Sequence, residues 1–556
     1  MRVSSKSRLT GKFLEKYDLP SILLLIIYIC ATAPLFFLPV AVPDELLFLG
    51  ISTSGVEKIA SDGLLSYLFW QPNELGYGSA YWIINTLTLY LFNENLLHSL
   101  YCLRALNLLS ILSIPFTLLL VASKYGCDRK FTRLVLVLWL SQGIAWWYGK
   151  IVGPEIVPAT LAFFGVALLL RSSFEQNNKV KLVKLFLSSL LLGLSFGIRL
   201  TIFPMVLFAA VAFSINYFNR PLHNFRQVFQ TSISALAGFT VGLALANPFT
   251  LFPGGGAIWL SNLKAATGGE VFFSYERLIY SLHSSIWHWD AIQNGGLLQL
   301  GFGSIVLLSL LFYKASNKTL TIACSAVYIL SFLILSSRPM LSWYLFPLIV
   351  LPFSTLVGTV TRSNQRISSL KYCFYIFIVF GMLLFNLPYL SEGYANKIEH
   401  YSNISKANLA KECVANAVQD KNDSGELSNI DTVLDFSEIY LVRKDPRSGV
   451  TRERRYVDYL PLEALETKNV TEVPIGGNTL SFFFEDLSWA AQKISSGKTI
   501  LFLSGHRFQG KSFPVLPLVP HVLKILNAKS LDNYYIKESG SCEYLDFALV
   551  TKLRSD

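Results

Sequence analysis

Asp44 and Glu45 are adjacent carboxylates in Val42-Pro43-Asp44-Glu45, just beyond an apolar run that ends at Val40. Ionisable groups at the edge of a lipid-soluble segment are costly, which makes this pair a candidate for chemistry. The plainer alternative is that they mark the polar end of one span and the start of the next helix. A third carboxylate, Glu155 in Gly153-Pro154-Glu155, stands where another apolar run begins. Three cations hold similar positions: Lys150, Arg199 in Gly197-Ile198-Arg199-Leu200, and Arg338 in Ser336-Ser337-Arg338-Pro339. Each cation alone could snorkel to lipid headgroups. On one face together, these residue types suit a reaction in which a carboxylate takes a proton from an acceptor and fixed cations hold the charge developing on a phosphate leaving group.

The elements that must position them are apolar. The 556 residues are 52% hydrophobic, with a mean hydropathy of +0.46. Several runs reach the ~20 residues that cross a hydrocarbon core. The expected spans are 20–40, 98–122, 131–149, 153–170, 182–198, 200–218, 229–247, 296–313, 319–336, 341–360 and 371–389, about eleven by the length rule. The first lacks a small-residue cleavage site and is read as a span, not a removable signal. The net charge of +11 does not point to nucleic acid, because the basic residues gather between spans.

Their placement fixes an expected orientation. Arg2, Lys6, Arg8, Lys12 and Lys16 precede the first span, and basic residues follow every even-numbered span, among them Lys124, Arg129 and Lys130, then Arg171, Lys179, Lys181 and Lys184. Loop 41–97 instead carries Asp44, Glu45, Glu57, Asp62, Glu74 and Glu94 against Lys58. The positive-inside rule then puts the N-terminus in the cytoplasm of a multi-pass plasma (inner) membrane protein, and loops 41–97 and 248–295 and the tail outside. The candidate acids and bases share that outer face. The aromatic pieces of the two outer loops, including Tyr81-Trp82, suit helices lying in the interface, either as an aromatic belt or as a groove for a lipid-linked or sugar-like ligand.

In this order and spacing the residues resemble the GT-C superfamily of integral-membrane glycosyltransferases, specifically the protein mannosyltransferase and aminoarabinose transferase type. The resemblance covers about residues 20–390 and rests on Pro43-Asp44-Glu45, Tyr77-Gly78-Ser79-Ala80-Tyr81-Trp82, Leu103-Arg104-Ala105-Leu106-Asn107, Gly153-Pro154-Glu155, Gly193-Leu194-Ser195-Phe196-Gly197-Ile198-Arg199 and Ser342-Trp343-Tyr344-Leu345-Phe346-Pro347. Glu155 stands where many members have Asp. The resemblance implies a polyprenyl-phosphate sugar donor and a protein, lipid or glycan acceptor, with Asp44 as the base. Glu45 and Glu155 would orient Asp44 or contact the acceptor, Arg338 with Arg199 or Lys150 would hold the phosphate, and Tyr81, Trp82, His283 and His288 would face the acceptor or sugar. No cofactor is required. A divalent metal is compatible with this chemistry, but no HxxH or HExxH pattern signals one. A transporter or flippase of lipid-linked sugars is the main alternative class, although no internal repeat is visible. A surface-polysaccharide polymerase or ligase is another.

The fold class expected is an α-helical polytopic membrane protein with a small extracytoplasmic α/β domain: residues 1–390 for the membrane part and 391–556 for the second domain. Residues 432–436, 480–484, 499–503 and 547–550 read as strands, and 486–494 and 519–527 as helices. Gly505-His506-Arg507-Phe508-Gln509-Gly510-Lys511-Ser512 matches a phosphate loop in letters only, because Pro514 forbids the helix that motif needs. Of seven cysteines, Cys30, Cys102, Cys324 and Cys373 lie in apolar runs and are expected to pack as small hydrophobes, while Cys413 and Cys542 could pair.

Overall fold

The computed structural model describes residues 19–36, 43–69, 78–92, 96–125, 129–140, 155–217, 225–257, 259, 279, 318–336, 346–359, 372–377, 381, 430–435, 442–444, 451–453, 470–472, 496, 499–505, 534–542 and 545–552. They divide into two compact units, Met1–Ala41 with Gly55–Gly393 and Val42–Ser54 with Tyr394–Asp556.

The first unit is helical. Its elements are α1 (Leu19–Phe36), α2 (Pro43–Leu68, whose first residues belong to the second unit), α3 (Ser79–Leu91), α4 (Leu96–Tyr125), α5 (Arg129–Leu140), α6 (Ile156–Ser172), α7 (Asn178–Ile198), α8 (Phe203–Tyr217), α9 (Phe225–Ala246), α10 (Lys318–Ser336) and α11 (Phe346–Thr359). Short 3-10 turns, Leu200–Ile202 and Pro248–Leu251, join α7 to α8 and follow α9. Among the described residues five segments are long and apolar enough to cross a bilayer: His98–Ala122, Asn178–Ile198, Leu200–Tyr217, Phe225–Ala246 and Lys318–Leu335. Each agrees with an expected span. Shorter apolar helices fall on the spans expected at 20–40, 153–170 and 341–360. The span at 296–313 lies outside the described residues, as does most of 371–389.

The bundle is built around α11, all of whose residues are buried. Trp139 on α5 is fully buried and meets Phe353 edge-on at 5.0 Å and Phe346 at 6.2 Å. α7 packs against α9 through small residues: a Cβ at Gly242 would overlap the Leu190 carbonyl oxygen, and one at Gly193 the Phe239 carbonyl oxygen. Only glycine permits that approach, the usual device where lipid supplies no hydrophobic drive between helices. The far side of α9 turns Phe225 and Leu236 outward at 81% and 68% exposure, as suits a helix whose solvent is lipid.

α3 is turned into the protein: Tyr81, Trp82, Asn85, Thr86 and Leu89 are buried. The Thr86 hydroxyl accepts from Tyr67 at 2.6 Å, a partner inside the protein.

The second unit contains a five-stranded sheet of order β4-β1-β5-β7-β6. Its strands are β1 (Ile430–Asp435), β4 (Val470–Glu472), β5 (Thr499–Gly505), β6 (Tyr534–Cys542) and β7 (Leu545–Lys552). β1 runs parallel to β4 and β5, whereas β7 is antiparallel to β5 and β6. β2 (Val442–Lys444) and β3 (Thr451–Glu453) form a separate antiparallel pair. The strand expected at 480–484 and the helices expected at 486–494 and 519–527 lie outside the described residues, as do the phosphate-loop letters after Gly505.

Candidate active site

Glu155 and Arg199, 44 positions apart in the sequence, meet at one end of the bundle. Glu155 occupies the N-cap position of α6, and its backbone carbonyl accepts from the Ala159 N–H at 3.1 Å. Arg199 ends α7 in an extended conformation, and its N–H donates to Ser195 O at 3.0 Å. An acid at a helix N-terminus and a base at a helix C-terminus both complement the helix dipoles. The Arg199 Nη2 lies 2.8 Å from Glu155 Oε1, with side-chain exposures of 9% and 3%.

Close packing brings the pair together. The Asn247 carboxamide, buried after α9, donates to Gly197 O at 3.0 Å and accepts from the Ser79 N–H at 3.3 Å. The Gly78 N–H donates to Ile198 O at 3.0 Å. A Cβ at Gly78 would overlap the Gly197 carbonyl oxygen, so the segment entering α3 must be bare at this point. One asparagine thus ties together the ends of α7 and α9 and the start of α3.

A small cavity opens among α3, α4, α6 and the end of α7; Tyr81, Asn85, Asn107, Val157, Pro158 and Ile198 help line it. Ile198 adjoins Arg199, and Val157 lies two positions after Glu155. Tyr81 lines this space, and Trp82, 5.3 Å from it ring to ring, is buried beside it. Asn85 is 1% exposed, and its Nδ2 has no hydrogen-bond partner among the described residues. On α4, Arg104 is fully buried one turn before Asn107.

Of the residues expected to act, Glu155, Arg199, Tyr81 and Trp82 therefore surround one end of the bundle. Asp44 and Glu45 lie in the first turn of α2, in the second unit; their side chains are outside the described residues, as are Lys150, Arg338, His283, His288 and Cys413. The described cysteines of the bundle divide: Cys324 is buried with its Sγ 3.4 Å from Thr355 Oγ1, whereas Cys30, Cys102 and Cys373 are exposed. These three do not pack inward as expected, because they fall on outward faces of their helices. Asn247 was not singled out by sequence, and Asn85 and Asn107 stood there only inside longer runs, with no role of their own. Their signal was a carboxamide inside or beside an apolar helical run, where a polar group needs a partner.

Apolar outward faces, a buried helix at the centre and a buried ion pair at helix ends define an integral membrane protein with a polar site at one end of its bundle. No family model matches the sequence, and no curated protein matches it. By structure comparison the chain is similar to ArnT from Cupriavidus metallidurans. Bound to undecaprenyl phosphate, ArnT gives a TM-score of 0.49 at 14% identity, covering 95% of this chain and 98% of that chain. In the apo state it gives 0.48 at 13% identity, covering 95% and 97%. The chain is also similar to the arabinofuranosyltransferase AftD from Mycobacteria, at a TM-score of 0.44 and 13% identity over 96% of this chain and 40% of that one.

Proposed function

We propose that this protein is a glycosyltransferase that moves a sugar from a polyprenyl-phosphate donor to an acceptor hydroxyl on the extracytoplasmic face of the membrane. The observation that supports it most is the buried Glu155–Arg199 pair beside a cavity walled by Tyr81 and Asn85. A guanidinium offers five donors in a fixed fork. A carboxylate that holds it in place leaves it able to meet a phosphate oxygen without first being ordered. Glu155 then acts by positioning Arg199, and the Tyr81 ring and Asn85 amide supply the apolar face and the donor that a sugar requires.

In the reaction Asp44 takes the proton of the acceptor hydroxyl. The hydroxyl oxygen bonds to the anomeric carbon as the carbon–oxygen bond to phosphate breaks, and the electron pair leaves on the phosphate. A single displacement inverts the anomeric centre. Arg199, with Arg338 and Lys150, holds the charge on the departing lipid phosphate, and Glu45 orients Asp44. His283 and His288 of the second outer loop contact the acceptor, which is a protein, a lipid or a glycan. Residues 1–390, with about eleven spans by length, carry this chemistry, and residues 391–556 form an outer α/β domain. The sugar–phosphate bond supplies the driving force, so no nucleotide is consumed.

The test is to incubate the purified full-length protein with a panel of polyprenyl-phosphate monosaccharides and follow release of polyprenyl phosphate. At least one donor is expected to be consumed in an acceptor-dependent manner. Movement of intact donor across the bilayer, with no release from any donor, would favour the flippase class instead.

A further inference from the structure

At the end of the bundle that the positive-inside rule assigns to the cytoplasm, α4 finishes, α5 begins and α11 finishes. Between these three ends lies a second, open groove, lined by Leu118, Ala122, Phe131, Val135, Leu356 and Val357 among others. It is almost wholly apolar. In a bilayer such a groove is filled by hydrocarbon, and the occupant's headgroup is selected by whatever stands at the mouth.

The mouth is cationic. Arg171, at the end of α6, donates from Nε and Nη2 to the carbonyl of the groove residue Val357, at 3.1 and 2.7 Å. Its guanidinium also lies 4.2 Å from the Tyr125 ring. That fixes one positive charge against the groove wall. Lys124 is exposed at the end of α4, its Nζ 5.8 Å from the Tyr125 ring. Arg129, Lys130 and Arg133 begin α5, immediately beside the groove residue Phe131. The helices α4, α5, α6 and α11 contain no Asp or Glu. The α4–α5 link contributes the single carboxylate Asp128 against these five cations.

We infer that this groove binds one acyl chain of an anionic phospholipid from the cytoplasmic leaflet, with the lipid phosphate held by Arg129 and Lys130 beside Arg171. The inference rests on reading the helices as membrane spans. It does not depend on sugar transfer, because the groove is at the opposite end of α4 and α6 from the Glu155–Arg199 pair. Clusters of Lys and Arg over apolar grooves on the cytoplasmic side are the general form of such lipid sites.

The experiment uses the full-length protein, exchanged into mixed micelles with phosphatidylglycerol and phosphatidylcholine of identical chains, with retained lipid read by native mass spectrometry. The wild type is expected to retain phosphatidylglycerol preferentially. The double variant Arg129→Gln/Lys130→Gln is expected to bind it about 30-fold more weakly, at roughly a tenfold factor or less for each cation lost near a membrane surface. An equal charge change at Lys179→Gln/Lys318→Gln, on helices that do not line the groove, is expected to leave retention unchanged. Ala122→Phe, which fills the groove and keeps every charge, is expected to reduce retention too. Equal retention of the two lipids by the wild type would overturn the inference. So would wild-type retention by Arg129→Gln/Lys130→Gln, or an equal loss in the Lys179/Lys318 control.

Discussion

Removing one partner of the Glu155–Arg199 pair should cost more than removing both. Arg199 Nη2 and Glu155 Oε1 are 2.8 Å apart, and neither side chain is more than 9% exposed. With charge centres about 4 Å apart and an effective dielectric of about 20, the attraction is about 4 kcal/mol. Arg199→Met leaves a buried carboxylate facing the ends of α6 and α7, and Glu155→Leu leaves a buried guanidinium. Each is expected to destabilise by about 3–5 kcal/mol. In Glu155→Leu/Arg199→Met both charges and both desolvation penalties disappear together, so the double variant is expected near the wild type. Thermal or denaturant unfolding of the four proteins in one detergent closes the cycle, with a coupling energy of at least about 2 kcal/mol expected. Single-variant losses under about 1 kcal/mol that simply add would mean a solvated pair of the kind found on surfaces, and the reasoning about this site would fail. Transfer activity separates stability from function: the double variant should fold and still lose donor turnover, because the guanidinium proposed to meet the donor phosphate is gone.

Asn247→Leu removes the bridge between the Ser79 N–H and Gly197 O, and is expected to destabilise by about 1–3 kcal/mol and to raise the KM for donor, checked by unfolding and steady-state kinetics. Gly242→Leu drives a side chain into the Leu190 backbone and should prevent a monodisperse fold on gel filtration, whereas Gly256→Ala, where a Cβ meets nothing within 4 Å, should be silent. The Lys184 ammonium beside Glu175 holds that carboxyl below its ordinary 4.5. A depressed folded pKa means the ionised form is the stabilised one. The stability difference between wild type and Lys184→Met should thus be full above that pH and fade as pH falls through the lowered value, as a melting series across acid pH would record.

Much of the bundle was legible because a span must be long and apolar, and the runs 182–198, 229–247 and 319–336 agree with α7, α9 and α10 within a few residues. For α3 an aromatic belt and a ligand groove both stayed open in the sequence: tyrosine, tryptophan and asparagine in a short helix suit either, and the burial of Tyr81 and Trp82 depends on neighbours that the run itself does not name. Glu155 and Arg199 stood out as ionisable residues at the ends of apolar runs, yet nothing in the spacing told that they bind each other. Asn247 gave a weaker signal still, one amide beside Pro248. In the sheet, β5 showed as the apolar run Ile500–Leu503. β6 did not, because Lys537, Glu538, Ser539, Gly540 and Ser541 carry no alternation and its pairing with β7 is set by the fold around it.

The measurement that bears most directly on sugar transfer compares donor binding with donor turnover in Asp44→Asn. If Asp44 is the base, the variant should bind the polyprenyl-phosphate sugar with near wild-type affinity, retain its melting temperature, and release polyprenyl phosphate at least a hundredfold more slowly, about the low end of what a general base contributes. Turnover at the wild-type rate with binding intact would contradict the account.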